Sequence, residues 1–243
     1  ITFGHQFKNK NTGLGISSVI DRIGPSQNTS VAIDFAYHLK LNDKNLRLGL
    51  GLKVSARSYQ LDNSMISPFN SSDLVFTSPI DSKFSPNIGA GIYLQSQKFY
   101  FGVGIPYFLE DKEILYKRNY YMFFGGLIGE NNSIKFKPSF LVQKTELLPL
   151  TYDASILIVA GNKIWIGPQI RSTVNSGIPG EKSSGFYGAI AGIHLGRNLT
   201  LGYAYQGGSL NKNIGITNNS HELLLRFQFA PKIEGILRSP RLF

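Results

Sequence analysis

The chain of 243 residues contains no cysteine. Disulfide cross-links and thiolate metal sites are therefore both excluded. No stretch approaches the roughly 20 consecutive apolar residues that a membrane-spanning helix needs, and no signal peptide opens the chain, which starts at Ile1 rather than methionine. That excludes helical membrane proteins and leaves strand-built ones open. The four histidines, His5, His38, His194 and His221, stand without HxH, HxxxH or HExxH spacing, so no metal centre is expected. The glycine pairs Gly13/Gly15, Gly49/Gly51, Gly89/Gly91 and Gly102/Gly104 lack the strand-to-helix setting of a phosphate loop. Lying within strands, they leave room for something close to the wall. Glu110, Asp111 and Glu113 are too sparse in oxygen ligands for a calcium loop, as are Asp73 and Asp81. With no catalytic constellation and no cofactor expected, the chain reads as a non-enzyme.

What the chain has is cationic charge and alternation. The formal charge is +10 with a pI near 9.7. The basic residues are spread through strands rather than set beside exposed aromatics on one platform, which argues against nucleic acid. In NLRLGLGLKVSAR, residues 45–57, Leu46, Leu48, Leu50, Leu52, Val54 and Ala56 alternate with Arg47, Gly49, Gly51, Lys53, Ser55 and Arg57. Successive strand side chains face opposite sides, so one face is aliphatic and the other small or cationic. Similar segments recur from end to end and predict an all-β fold. The expected strands cover 1–8, 12–21, 28–41, 46–60, 84–95, 99–108, 118–129, 134–145, 151–160, 164–175, 184–196, 199–208 and 220–229. Short turn-forming pieces such as Ser96-Gln97-Lys98 and Gly161-Asn162-Lys163 interleave with longer loops at 61–83, 109–117, 176–183 and 209–219. The connection after Leu148 fits least, being short.

Short and long connections at opposite strand ends are the pattern of an antiparallel up-and-down transmembrane β-barrel. The first and last strands run in the same direction. An even strand number then requires one more strand before Ile1, for about fourteen in all and about thirteen in this chain. The barrel is expected over 1–229, with a periplasmic tail over 230–243. Small and scattered cationic residues coat a protein poorly against water but suit a lumen, so the aliphatic rows are expected to face lipid. Arg47, Lys53, Arg57, Lys135, Lys137 and Arg171 then face the interior. Tyr37, Tyr59, Phe99, Tyr107, Tyr120, Tyr121, Phe227 and Phe229 are candidates for interfacial aromatic belts. Ile190, Leu224 and the run 155–159 put apolar groups on both faces, as under an interior plug. A soluble sandwich or barrel is the competing reading, since alternation alone suits it equally.

Several stretches together resemble the PorP/SprF family of the Bacteroidetes type IX secretion system: NTGLGISSVIDRIGPSQ (11–27), DFAYHLKL (34–41), LRLGLGLKVSARSYQLD (46–62), FSPNIGAGIYLQSQKFYFGVGIPYFLE (84–110) and SPRLF (239–243). The resemblance implies an integral protein of the bacterial outer membrane that receives or anchors exported surface proteins, including gliding adhesins, through their C-terminal secretion domain. It also implies contact with other secretion components, periplasmic ring lipoproteins among them, and with outer-membrane lipid or lipopolysaccharide. The turn Arg22, Ile23, Gly24, Pro25 and the tail Arg238, Ser239, Pro240, Arg241, Leu242, Phe243 are the candidate partner contacts. The alternative is a passive, anion-leaning outer-membrane pore with an open basic lumen.

Overall fold

The computed structural model describes residues 1–7, 11–41, 46–62, 80–81, 84–110, 117–129, 133–146, 148–174, 185–196, 198–209 and 219–227. Within them every regular element is a strand: β1 (Thr2–Gln6), β2 (Thr12–Ile23), β3 (Ser26–Lys40), β4 (Arg47–Leu61), β5 (Ile80–Asp81), β6 (Ser85–Gln95), β7 (Phe99–Ile105), β8 (Asn119–Gly126), β9 (Ile134–Thr145), β10 (Thr151–Ala160), β11 (Ile164–Thr173), β12 (Gly185–Leu195), β13 (Leu199–Ser209) and β14 (Ser220–Phe227). They form one sheet in chain order from β1 to β14, except that β5 lies off this path and pairs with β4. The thirteen strands on the path are the thirteen expected from the alternation, in antiparallel up-and-down succession. The two-residue β5 falls inside the expected loop 61–83 and was not anticipated.

Contact density divides the chain into two compact units, and the division falls within β3, β4, β6, β7 and β8. In the first unit (Ile1–Leu39, Gly49–Ile92 and Gly104–Asn119), the register places Phe3 opposite Ile16 and Ile16 opposite Ile33. All three side chains are exposed. Val31, Phe35, Tyr37 and Leu39 continue the exposed row of β3, while Ala32, Asp34, Ala36 and His38 are half-buried on its other face. Strand β4 is as polarised: Leu52 and Val54 are each 61% exposed, and Ser55 is 6% exposed.

The β2–β3 connection is tighter than the sequence suggested. Strands expected to stop at 21 and restart at 28 pair onward through Asp21↔Asn28, Arg22↔Gln27 and Ile23↔Ser26, leaving only Gly24 and Pro25 to turn. Gly24 has φ +56°. A positive φ followed by the fixed negative φ of proline is the sign pattern of a type II′ hairpin turn, which matches strand twist. The Ser26 hydroxyl donates to the Ile23 carbonyl at 2.9 Å, and the Asp62 amide donates to the Pro25 carbonyl at 2.9 Å.

In the second unit (Lys40–Leu48, Tyr93–Val103 and Tyr120–Phe243), β9 to β14 align rows across six strands. One row runs Phe136, Ile158, Ile166, Ala191, Tyr203, Leu223, and all of these but Ala191 are exposed. The next row runs Lys135, Val159, Trp165, Gly192, Gly202, Leu224 on the opposite face, where Val159 is 3% exposed. Gly161 (φ 55°) and Asn162 (φ 55°) make the β10–β11 reversal, closed by the Lys163 amide on the Ala160 carbonyl at 3.0 Å. Two successive positive φ values define a type I′ turn, which favours glycine and asparagine.

In each unit the apolar side chains thus stand on the exposed face. Among the described residues the buried large apolar side chains are Tyr100, Leu127 and Val159. A water-soluble sandwich or barrel of this size would gather its leucines and isoleucines between packed faces. Here they stand in contiguous exposed rows, far beyond the patches that a soluble monomer tolerates.

Candidate functional site

The covered face of the second unit holds a cavity of about 650 Å³. Its floor follows from strand register. Ser139, Ser155, Gln169, Gly188, Gln206 and Ser220 stand opposite one another in succession from β9 to β14, making a ladder of neutral hydrogen-bonding side chains interrupted at the glycine. The Ser139 and Ser155 hydroxyls share a hydrogen bond of 2.7 Å. In the flanking row Leu141, Asp153, Arg171 and Phe186 stand in register, and the Arg171 guanidinium Nε donates to Asp153 Oδ1 at 2.6 Å. Ile190, Ala204 and Glu222 form the row on the other side. Tyr100 and Phe123 add aromatic surface, with Tyr93 completing a cluster whose ring centres are 5.9–6.5 Å apart.

Glycines seat these rings. A Cβ on Gly102 would overlap the Phe123 ring, one on Gly125 the Tyr100 ring, and one on Gly192 the Trp165 indole. For these three, what lies close to the wall is the protein's own aromatic side chains. Trp165 also meets His194, ring centres 4.6 Å apart, and the His194 Nδ1 pairs with the Thr200 hydroxyl at 2.8 Å. The tryptophan and Lys135 stand in register on either side of Val159, which explains the burial of that apolar residue on the polar face. Ile190 borders the cavity, whereas Leu224 is exposed beside Gly202, whose missing side chain leaves it room.

The six predicted interior cations are divided between the units, Lys53 and Arg57 in the first and Arg47, Lys135, Lys137 and Arg171 in the second. Lys53 pairs with Asp34 at 2.8 Å, and the Arg57 guanidinium lies 5.3 Å from the centre of the Tyr107 ring. Lys137 is buried in register with Leu157, while Lys135 and Arg47 are half-buried. Arg171 borders the cavity, held by Asp153. The carboxylates and the neutral ladder are what the sequence reading missed. Their parity along each strand was visible, but their alignment across strands depends on register.

The aromatic belt needs correction. Tyr37, Phe99, Tyr120 and Phe227 are exposed as expected. Tyr59, Tyr107 and Tyr121 are half-buried; Tyr59 shares strand parity with Arg57, and Tyr107 receives that guanidinium. Phe229 and the tail candidates Arg238 to Phe243 lie outside the described residues. Among the described residues no three His, Asp or Glu side chains are grouped to hold a metal ion.

The model of the family described as type IX secretion system membrane protein PorP/SprF matches residues 1–227. The chain belongs to the PorP/SprF family. No curated protein matches the chain. The PorP/SprF match covers every strand from β1 to β14, so the exposed aliphatic rows and the covered polar ladder both fall within the family region. The SPRLF ending, which contributed to the resemblance, lies beyond it. PorP/SprF is a family of secretion-system membrane proteins; among the described residues no helix is long and apolar enough to cross a membrane, and closed strands are the other structure that hydrocarbon admits.

Proposed function

We propose that this PorP/SprF protein is an integral outer-membrane β-barrel component of the type IX secretion system that receives or anchors exported surface proteins, adhesins of gliding cells among them, and contacts periplasmic ring lipoproteins. The observation that carries the membrane part is the pair of facing rows in β9–β14: Phe136, Ile158, Ile166, Tyr203 and Leu223 exposed, Lys135, Val159 and Trp165 covered. Hydrocarbon offers no partner to peptide groups, so strands meet it only when fully paired, with apolar side chains outward. The role in export rests on family membership. The Ser139–Ser220 ladder supports a polypeptide-handling surface, because hydroxyls and amides accept and donate without demanding charge. The six cations are proposed to line the interior, and the Arg22–Pro25 hairpin and the segment Arg238–Phe243 are the proposed contacts for partners.

The rival anion-leaning pore draws less support. Lys53 and Arg171 are each held by a carboxylate, and Arg57 lies over an aromatic face, so three of the six interior candidates are answered locally. Deleting the protein should remove surface-displayed cargo while other outer-membrane barrels fold normally. Large, steady, anion-selective currents from the purified protein in planar bilayers would instead select the pore.

A further inference from the structure

We propose that the cavity of the second unit binds a neutral oligosaccharide, with the sugar hydroxyls on the Ser139–Ser220 ladder and the ring faces on Phe123 and Phe186. This goes beyond the export role. The volume of about 650 Å³ falls within the range of about 300–1,000 Å³ usual for ligand sites. Among the described residues the charged side chains bordering the cavity are Asp153, Arg171 and Glu222, and Asp153 already holds the Arg171 guanidinium at 2.6 Å. Although the chain has a formal charge of +10, this border offers no surplus cation to a phosphate, a sulfate or an acidic sugar. The ladder itself is uncharged. Its hydroxyls and amides each donate and accept, as sugar hydroxyls do, and an apolar ligand would strip them of water and leave them unpaired.

A polypeptide fits this floor less well. Its backbone brings a donor and an acceptor at nearly every residue, yet β9 to β13 are each paired on both sides and have no main-chain group left to answer them. A chain passing over the floor meets side chains only. Rungs on neighbouring strands stand about 4.8 Å apart, close to the length of one sugar unit in an extended glycan. The rung missing at Gly188 is reached from Gln169, whose Nε2 lies 3.1 Å from where a Gly188 Cβ would stand. Phe123 and Phe186 add ring surface beside the ladder, suited to the C–H faces of sugar rings. Ser220 opens β14, Gln206 stands three residues before the end of β13, and Gly188 three after the start of β12. The cavity therefore lies toward the long connections, which in an outer-membrane barrel face the cell exterior.

The test adds maltohexaose, cellohexaose, laminarihexaose or N-acetylchitohexaose to the full chain in micelles of lauryldimethylamine oxide, a detergent without a sugar headgroup, and follows binding by titration calorimetry and saturation-transfer NMR. At least one of these sugars should bind. Its affinity should be unchanged in molar salt, because the ligand is neutral, and should fall about tenfold in Q169A/Q206A, which lacks two of the amides. In the unaltered chain, saturation of aromatic protons should pass to sugar C–H protons, a readout that needs no variant to fold. Binding of none of the sugars, or an affinity unchanged in Q169A/Q206A, would overturn the proposal. A Gly-Ser repeat peptide binding in preference to every sugar would also overturn it and make the cavity a polypeptide groove. Each of these failures leaves the membrane reading standing, because the assay does not depend on which face meets lipid.

Discussion

Ile166 and Gly167 are consecutive on β11, yet their surroundings are opposite. Ile166 is exposed in a row with Phe136, Ile158, Tyr203 and Leu223. Gly167 is buried, and a Cβ there would overlap the Ile156 backbone carbonyl. The same contrast separates Leu52 from Lys53 on β4, where the leucine is exposed and the lysine pairs with Asp34 at 2.8 Å. Alternation tells that a strand has two faces. Size and pairing tell which face is covered: glycines, hydroxyls and neutralised charges crowd one side because neighbouring rings and backbones press on it. Isoleucine and leucine line the other, where the surrounding medium must itself be apolar.

The contrast breaks hardest on the exposed side. Val54→Arg, at the middle of β4, should cost about 2–4 kcal/mol of folding free energy in a bilayer, the penalty for a cation near the midplane of a lipid-facing strand, read from urea unfolding in vesicles. A loss near zero would place Val54 in water. Gly167→Val should cost about 1–3 kcal/mol through overpacking, and this loss should appear in detergent and bilayer alike. On the covered face of the first unit, Asp34→Asn should lose at most about 1 kcal/mol, since the pair with Lys53 is partly exposed, and a double-mutant cycle with Lys53→Met isolates that coupling. Smallest is Tyr107→Leu, about 0.5–1 kcal/mol from the cation–π contact, an effect that Arg57→Gln should abolish in the same kind of cycle.

Much of this arrangement was legible in the chain. The thirteen strands followed from period-two patterning, and the exposed Leu50, Leu52 and Val54 of β4 belong to the aliphatic row read from sequence. The β2–β3 connection was expected over 22–27, whereas Gly24-Pro25 alone suffices to reverse the chain and Arg22, Ile23, Ser26 and Gln27 continue the ladder. Tyr59 and Tyr121 were assigned to an outer belt on residue type, although their parity with Arg57 and Phe123 already pointed to the covered side. The serine–glutamine ladder had no local signature. Ser139 meets Ser155 only because the β9–β10 connection sets that register, and short connections fix register through backbone geometry rather than composition.

The absence of native cysteine makes the central claim directly measurable, because every introduced cysteine carries a label alone. Nitroxides placed singly at positions 50 to 55 of the bilayer-inserted protein report collisions with oxygen, which concentrates among acyl chains, and with a polar nickel complex, which stays in water. Labels replacing Leu50, Leu52 and Val54 should collide with oxygen, while those replacing Gly51, Lys53 and Ser55 should not, giving an oscillation of period two. An oscillation of opposite phase, or strong nickel collisions at Leu50, Leu52 and Val54, would contradict the assignment of the aliphatic rows to lipid.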